Sequence, residues 1–407
     1  MGFLRFLRDN ARWLAAGVLL SFGSSFGQTF FISIFAGQIR ADFDLSHGEW
    51  GGIYTLGTTA SAVVMVWAGA LTDRFRVRVL GAGVFVLLAL ACIAMSLVQA
   101  VWLLPAVIFL LRFAGQGMAS HLSVVAMARW FVATRGRALS VATMGFALGE
   151  AFLPVSFVAM MEVLSWRVLW LFAAGISLIA APILVLLLRR ERTPQMVADE
   201  SPVAGMENRH WRRGEVLRHW LFWMMVPALL APPAFGTAFF FQQVHLAEVK
   251  GWDHVALVAL FPVYTSTGVA AMFAFGWAID RFGTARLMPV VQLPMALGFL
   301  VFSQTEGLFA AAIGLCLMGA TVGANSTVPS AFWAEFYGTR HLGGIKAIAA
   351  AVMVLGSAIG PGVTGALIDL GLSFPEQLLG ISGFVLFGAG LVGLAMRRVR
   401  GTLSHPA

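Results

Sequence analysis

The 407-residue chain is 59% hydrophobic and only 11% charged, where soluble domains carry about 25% charged residues. A mean hydropathy of +0.85 and repeated runs of about 20 apolar residues match the hydrocarbon layer of a bilayer, which excludes most soluble enzymes. A net charge of +8 and a pI near 10.6 would suggest nucleic acid in a soluble protein. Here the basic residues gather at the ends of apolar runs, so no nucleic-acid partner is expected and the charge is read as topology.

In chain order, twelve apolar spans are expected over residues 12–37, 50–72, 79–99, 102–128, 138–160, 166–188, 220–243, 254–279, 286–305, 308–333, 343–368 and 376–396. The first follows Arg5, Arg8 and Arg12 without a small-residue cleavage pattern, and is read as a retained helix rather than a secretory signal. With both termini cytoplasmic, 23 Arg and Lys residues fall on inner segments, Arg40, Arg167 and Lys250 on outer ones, and Arg112 inside a span. That is the distribution the positive-inside rule requires. Lysine occurs only as Lys250 and Lys346; the arginine bias, beside abundant Ala and Gly, suggests a GC-rich bacterial genome and so a bacterial inner membrane. Cys92 and Cys316 lie in apolar runs in opposite halves, which gives neither a disulfide framework nor a metal cluster. No cofactor is expected.

The polar stretch from Arg189 to His219, with Pro194 and Pro202, divides the chain. Residues 1–188 are expected to form an N-terminal six-helix bundle, 189–219 a cytoplasmic linker, and 220–407 a C-terminal six-helix bundle. The linker's end, with Trp211, Arg212, Arg213, Arg218 and Trp220, reads as a short basic interfacial helix on anionic headgroups. The halves repeat. Gly69-Ala-Leu-Thr-Asp73-Arg74-Phe75 recurs 207 residues later as Gly276-Trp-Ala-Ile-Asp280-Arg281-Phe282, and Gly145 and Gly149 recur 211 residues later as Gly356 and Gly360. The expected fold is an all-α integral membrane protein of twelve transmembrane helices, in two six-helix bundles related by a parallel repeat.

These motifs resemble those of the major facilitator superfamily. Its loop motif after the second span is matched by Gly69, Asp73, Arg74, Phe75, Arg76 and Arg78, with Arg76 where a second glycine is usual and Gly283 supplying that glycine in the second copy. Arg112-Phe-Ala-Gly115-Gln116-Gly117 is similar to the arginine and double-glycine signature of the family's fourth span. The resemblance implies a transporter, not an enzyme, whose halves alternate access to a central cavity lined by spans one, four, seven and ten. It also implies a conformational latch formed by Gly69, Asp73 and Arg74 with Gly276, Asp280 and Arg281. The glycines would permit close helix crossings, and each aspartate would accept from amides starting a facing helix, at Gly343 and Gly344 or near Arg137.

A charge at mid-span is a functional-site hypothesis by default. Arg112 lies about ten residues, or ~15 Å, from the outer end of the fourth span, and Glu150 about twelve residues, or ~18 Å, from the inner end of the fifth. The two reach nearly one depth, so they form either a structural pair or a binding and coupling pair. Polar residues at helical spacing extend the candidate substrate site to Gln116, Ser25, Gln28, Thr29, Tyr54, Gln242 and Asn325. Glu150 is the candidate proton carrier. His121 is a second, although its nine-residue separation from Arg112 turns it to the opposite face, where packing against a neighbouring helix competes.

Two functions are weighed. In the first, a monomeric secondary transporter moves a small organic anion, a carboxylate, with proton coupling and Arg112 as anchor. Phe26-Gly27-Gln28-Thr29-Phe30 is loosely similar to the monocarboxylate and oxalate/formate branch, although the basic residue often seen deep in span eight or eleven there is missing. In the second, a proton-driven exporter carries lipophilic or drug-like compounds, in keeping with a 12% aromatic content. The fifth span of that group has glycine followed by proline, where this chain has Gly149 followed by Glu150.

Overall fold

The computed structural model of the protein describes residues 3–69, 71–131, 134–189, 205–338 and 340–399, and among these it is built of helices with no strand. Among the described residues, ten helices are long and apolar enough to cross a membrane, or eleven if the bent pair Arg5–Gly27 and Thr29–Phe43 is one crossing. The expected span at 286–305 accounts for the difference. Its helix, Leu293–Gln304, has 12 residues, about 18 Å against a ~30 Å hydrocarbon core. Pro289 interrupts the segment, and Pro294 occupies the first turn of this helix, where a missing amide costs nothing. Large apolar side chains stand exposed on helix faces, including Val66, Trp67, Phe273 and Phe387, an arrangement suited to lipid and not to water.

Helix starts follow local chemistry. Ser46 caps His47–Ala68 through a reciprocal pair: Glu49 N donates to Ser46 Oγ (3.1 Å) and Ser46 N donates to Glu49 Oε2 (2.8 Å). Asp253 caps His254–Val258 of the second unit with its side chain alone, accepting from Ala256 N at 2.9 Å.

The chain divides into two compact units, Met1–Asp199 and Glu200–Ala407. In the first unit, Gly145 and Gly149 of helix Arg135–Met161 lie against the helix Phe3–Ser24 and the turn after it. A Cβ at Gly145 would overlap Val18 O, and one at Gly149 would stand 2.8 Å from Ser25 Cβ. In the second unit, Gly356 and Gly360 of Leu342–Asp369 lie against Trp220–Phe241; a Cβ at Gly356 would stand 2.8 Å from Leu230 O and one at Gly360 2.9 Å from the carbonyl carbon of Ala234. In both units glycine removes the side chain where two helices cross closely.

The linker's end packs against the second unit. Trp211 and Val216 are buried, Trp211 N donates to Tyr337 O at 3.1 Å, and the six-residue helix Arg213–Arg218 is part of the second unit. The end of helix Leu308–Tyr337 covers Trp211, whose ring meets that of Tyr337 edge-on at 5.6 Å. Residues 190–204, with Pro194 and Pro202, lie outside the described residues.

Candidate functional site

The first span breaks where its sequence is most polar. A 3₁₀ turn at Ser25–Gly27 ends at Gln28, whose extended backbone (φ −88°, ψ 155°) bends the helix axis by 48° between Arg5–Gly27 and Thr29–Phe43. The fourth span, Val101–Trp130, widens beside this break into a π-helical segment, Arg112–Ala119, a feature frequent at functional sites. The two irregularities meet through glycine. A Cβ on Gly115 would stand 2.6 Å from Gly27 Cα and 2.7 Å from Gly27 N, so no other residue fits without separating the chains.

Arg112 is 1% exposed. Its Nη1 donates to Gly27 O at 3.0 Å and to Thr29 Oγ1 at 3.4 Å, and its guanidinium carbon lies 5.4 Å from the centre of the Tyr54 ring. Thr29 Oγ1 and Tyr54 Oη are 2.5 Å apart. The first contact follows from the break: with Gln28 extended, Gly27 O lacks its helical donor, and a buried carbonyl needs one. Nε of Arg112 is buried and has no acceptor among the described residues. Among the described residues no carboxylate is a partner of the guanidinium, and its hydrogen bonds run to the first span.

Glu150 is 8% exposed. It follows Gly149, against which Ser25 packs, so it borders the same junction from the fifth span. Ser25 and Thr29 are buried and Gln116 half-buried, all within the broken turn or the π segment. Gln28, 9% exposed, supplies the extended backbone itself. Other polar stripe residues bind helix to helix: Ser21 Oγ donates to Ser123 Oγ, and Ser123 Oγ to Gly17 O, each at 2.9 Å. His121 lies away from Arg112, beside Gly69, where a Cβ would stand 3.5 Å from its Nε2.

In the second unit Gln242 Nε2 donates to Thr364 Oγ1 (3.2 Å) and Pro361 O (3.5 Å), holding the end of its helix to the eleventh span. Asn325 Nδ2 is buried without an acceptor among the described residues. A residue not foreseen from sequence is Gln292. Pro232 removes the amide that would bond Ala228 O, and Gln292 Nε2 donates there instead. The signal was a proline in a span, which demands an outside donor for the carbonyl four residues before it.

The two loop motifs differ. Gly69 ends its helix, and a short helix, Leu71–Arg74, follows; Arg129 Nη1 donates to Thr72 O at 2.5 Å. Arg74 is exposed, and the side chain of Asp73 lies outside the described residues. In the second copy the helix Phe261–Phe282 runs on through Gly276 and exposed Asp280 to Gly283, whose φ of 71° explains the glycine there. Among the described residues nothing lies within 4 Å of where a Cβ on Gly276 would stand. Arg281 folds over Trp277, 5.7 Å from the ring centre.

The sequence profile of the Major Facilitator Superfamily matches residues 17–291, more than half of the chain, and the chain belongs to this superfamily. No curated protein matches the sequence. The fold is similar to that of a bacterial homologue of the human lysosomal transporter Spinster: TM-score 0.71 for an inward-facing unoccupied structure and 0.73 for an inward-facing occupied one. Both are 16% identical to this chain, covering 98% and 97% of it and 99% and 98% of the homologue. The nucleoside transporter NupG matches at TM-score 0.69 and 12% identity, over 96% of this chain and 99% of that one. At such identities the likeness is one of fold. Family and fold together make this a multi-pass membrane protein of a small-molecule transporter class.

Proposed function

We propose that the protein is a proton-coupled secondary active transporter carrying a small organic anion, a carboxylate, by alternating access between two six-helix units related by a parallel repeat. The matched glycine contacts of the two units support the repeat. The proline-interrupted segment ending in Leu293–Gln304 supplies the twelfth crossing.

Arg112 carries the functional assignment. It is a permanent cation, 1% exposed, whose partners are two neutral oxygens and a tyrosine ring. A charge so placed is costly without a counter-charge, and a carboxylate at the Nε edge would supply one with the two-pronged geometry arginine favours. Glu150, bordering the same junction, is the coupling group: anion arrival neutralises the nearby cation and favours the protonated carboxyl. The test is uptake into proteoliposomes. Glu150→Gln should retain carboxylate exchange and lose accumulation driven by a proton gradient; undiminished accumulation would remove Glu150 from the mechanism.

The exporter alternative rested on aromatic content. Part of that content is structural: Phe26, Phe31, Phe35, Phe157 and Trp170 pack against one another within the first unit, each at most 4% exposed.

The charge distribution supports an inner-membrane protein with cytoplasmic termini. In a variant with Cys92 and Cys316 replaced, cysteine at Gly214, which has nothing within 4 Å of a Cβ, should be labelled from the cytoplasm. Cysteine at exposed Ala41 should be labelled from outside. Labelling of both from one face would overturn the twelve-span topology.

A further inference from the structure

The first unit has a basic concavity away from Arg112. Helices Val77–Leu97 and Trp166–Leu187 pack side by side, and at one end Arg76, Arg78 and Arg189 line a groove of ≈ 390 Å³ together with Val79, Ala82 and Val185. Arg76 and Arg189 are exposed and Arg78 half-buried. Arg76 precedes the first turn of a 21-residue helix and its side chain makes no capping bond, so the amides of that turn add positive potential at the same end. Among the described residues that line the groove, none is acidic.

Three guanidinium groups above an apolar channel, at the edge of the hydrocarbon layer, match a ligand with a phosphate at one end and an alkyl chain at the other. Guanidinium groups hold phosphate oxygens in pairs. Val79, Ala82 and Val185 would contribute nothing to a free anion. We propose that this groove is a binding site for an anionic phospholipid, its phosphodiester among Arg76, Arg78 and Arg189 and the head of one acyl chain along Val79, Ala82 and Val185. A groove of ≈ 390 Å³ sits at the small end of ligand pockets; it takes the headgroup and the first part of one chain, and the rest of the lipid stays in the bilayer.

Thermal unfolding of the purified full-length protein in neutral detergent tests this, with phosphatidylglycerol, phosphatidylcholine or inorganic phosphate added. Phosphatidylglycerol should raise the melting temperature in a saturable way, and the other two should not. Replacing Arg76, Arg78 and Arg189 together by glutamine should weaken that effect about a hundredfold in concentration. Ala82→Trp, which keeps every charge and fills the groove, should weaken it as well. Equal stabilisation by inorganic phosphate would mean an anion site that needs no lipid, and equal stabilisation by phosphatidylcholine would mean general solvation; each overturns the proposal. So does an unchanged phosphatidylglycerol response in either variant, and if the triple variant does not fold, Ala82→Trp decides alone.

Discussion

Arg112→Lys is expected to weaken carboxylate binding about a hundredfold while the protein remains folded. Lysine keeps the charge, and its ammonium can still reach one oxygen such as Gly27 O, which Arg112 Nη1 now holds at 3.0 Å. It cannot present a planar fork to a carboxylate as well. Breaking a buried charge-assisted contact costs 2–5 kcal/mol, and ~3 kcal/mol corresponds to about a hundredfold. Arg112→Leu separates the two duties of the residue: it removes the fork and also leaves Gly27 O without a donor, a further cost of about 1–3 kcal/mol in stability. Binding of small carboxylates to the detergent-purified variants, with melting temperatures alongside, reads both. Wild-type affinity in the lysine variant would sink the anchor role, leaving Arg112 as the fastener of a broken helix.

Gly27→Ala should destabilise the first unit by about 1–3 kcal/mol, the usual range for overpacking, and should abolish transport even where protein is recovered. The added Cβ would overlap Leu111 O and stand 2.8 Å from Gly115 Cα. Both neighbours are backbone, so neither can swing aside. Separating the chains would also pull Gly27 O from Arg112 and shift the π segment that carries the guanidinium. Gly83→Ala and Gly175→Ala, where nothing lies within 4 Å, are the matched controls and should behave like the native protein. Equal stability and transport in Gly27→Ala would show that the contact is not required.

Hydrophobicity and charge made the membrane class and most crossings legible, because run length against bilayer thickness is a local property. Residues 50–72 and 166–188 were expected as spans and form His47–Ala68 and Trp166–Leu187. The break at Gln28 was not legible. No proline marks it, and it exists because Gly115 lets the fourth span touch the first and Arg112 bonds the carbonyl that the break frees. Pro154 and Pro182, by contrast, sit inside continuous helices. The relation of Arg112 to Glu150 was half legible. Counting residues along a helix gives an expected depth in the bilayer but not direction around the axis, and Arg112 turns toward Gly27 and Tyr54.

The donors that complete each unit's first helix arrive late in synthesis. Gly27 O waits for Arg112, 85 positions downstream, and Ala228 O for Gln292, 64 positions downstream. A carbonyl without a donor in hydrocarbon costs several kcal/mol. Each unit therefore inserts with its leading helix carrying a defect that only the third or fourth crossing repairs, so a truncated chain ending before Arg112 or before Gln292 leaves that helix a substrate for membrane quality control.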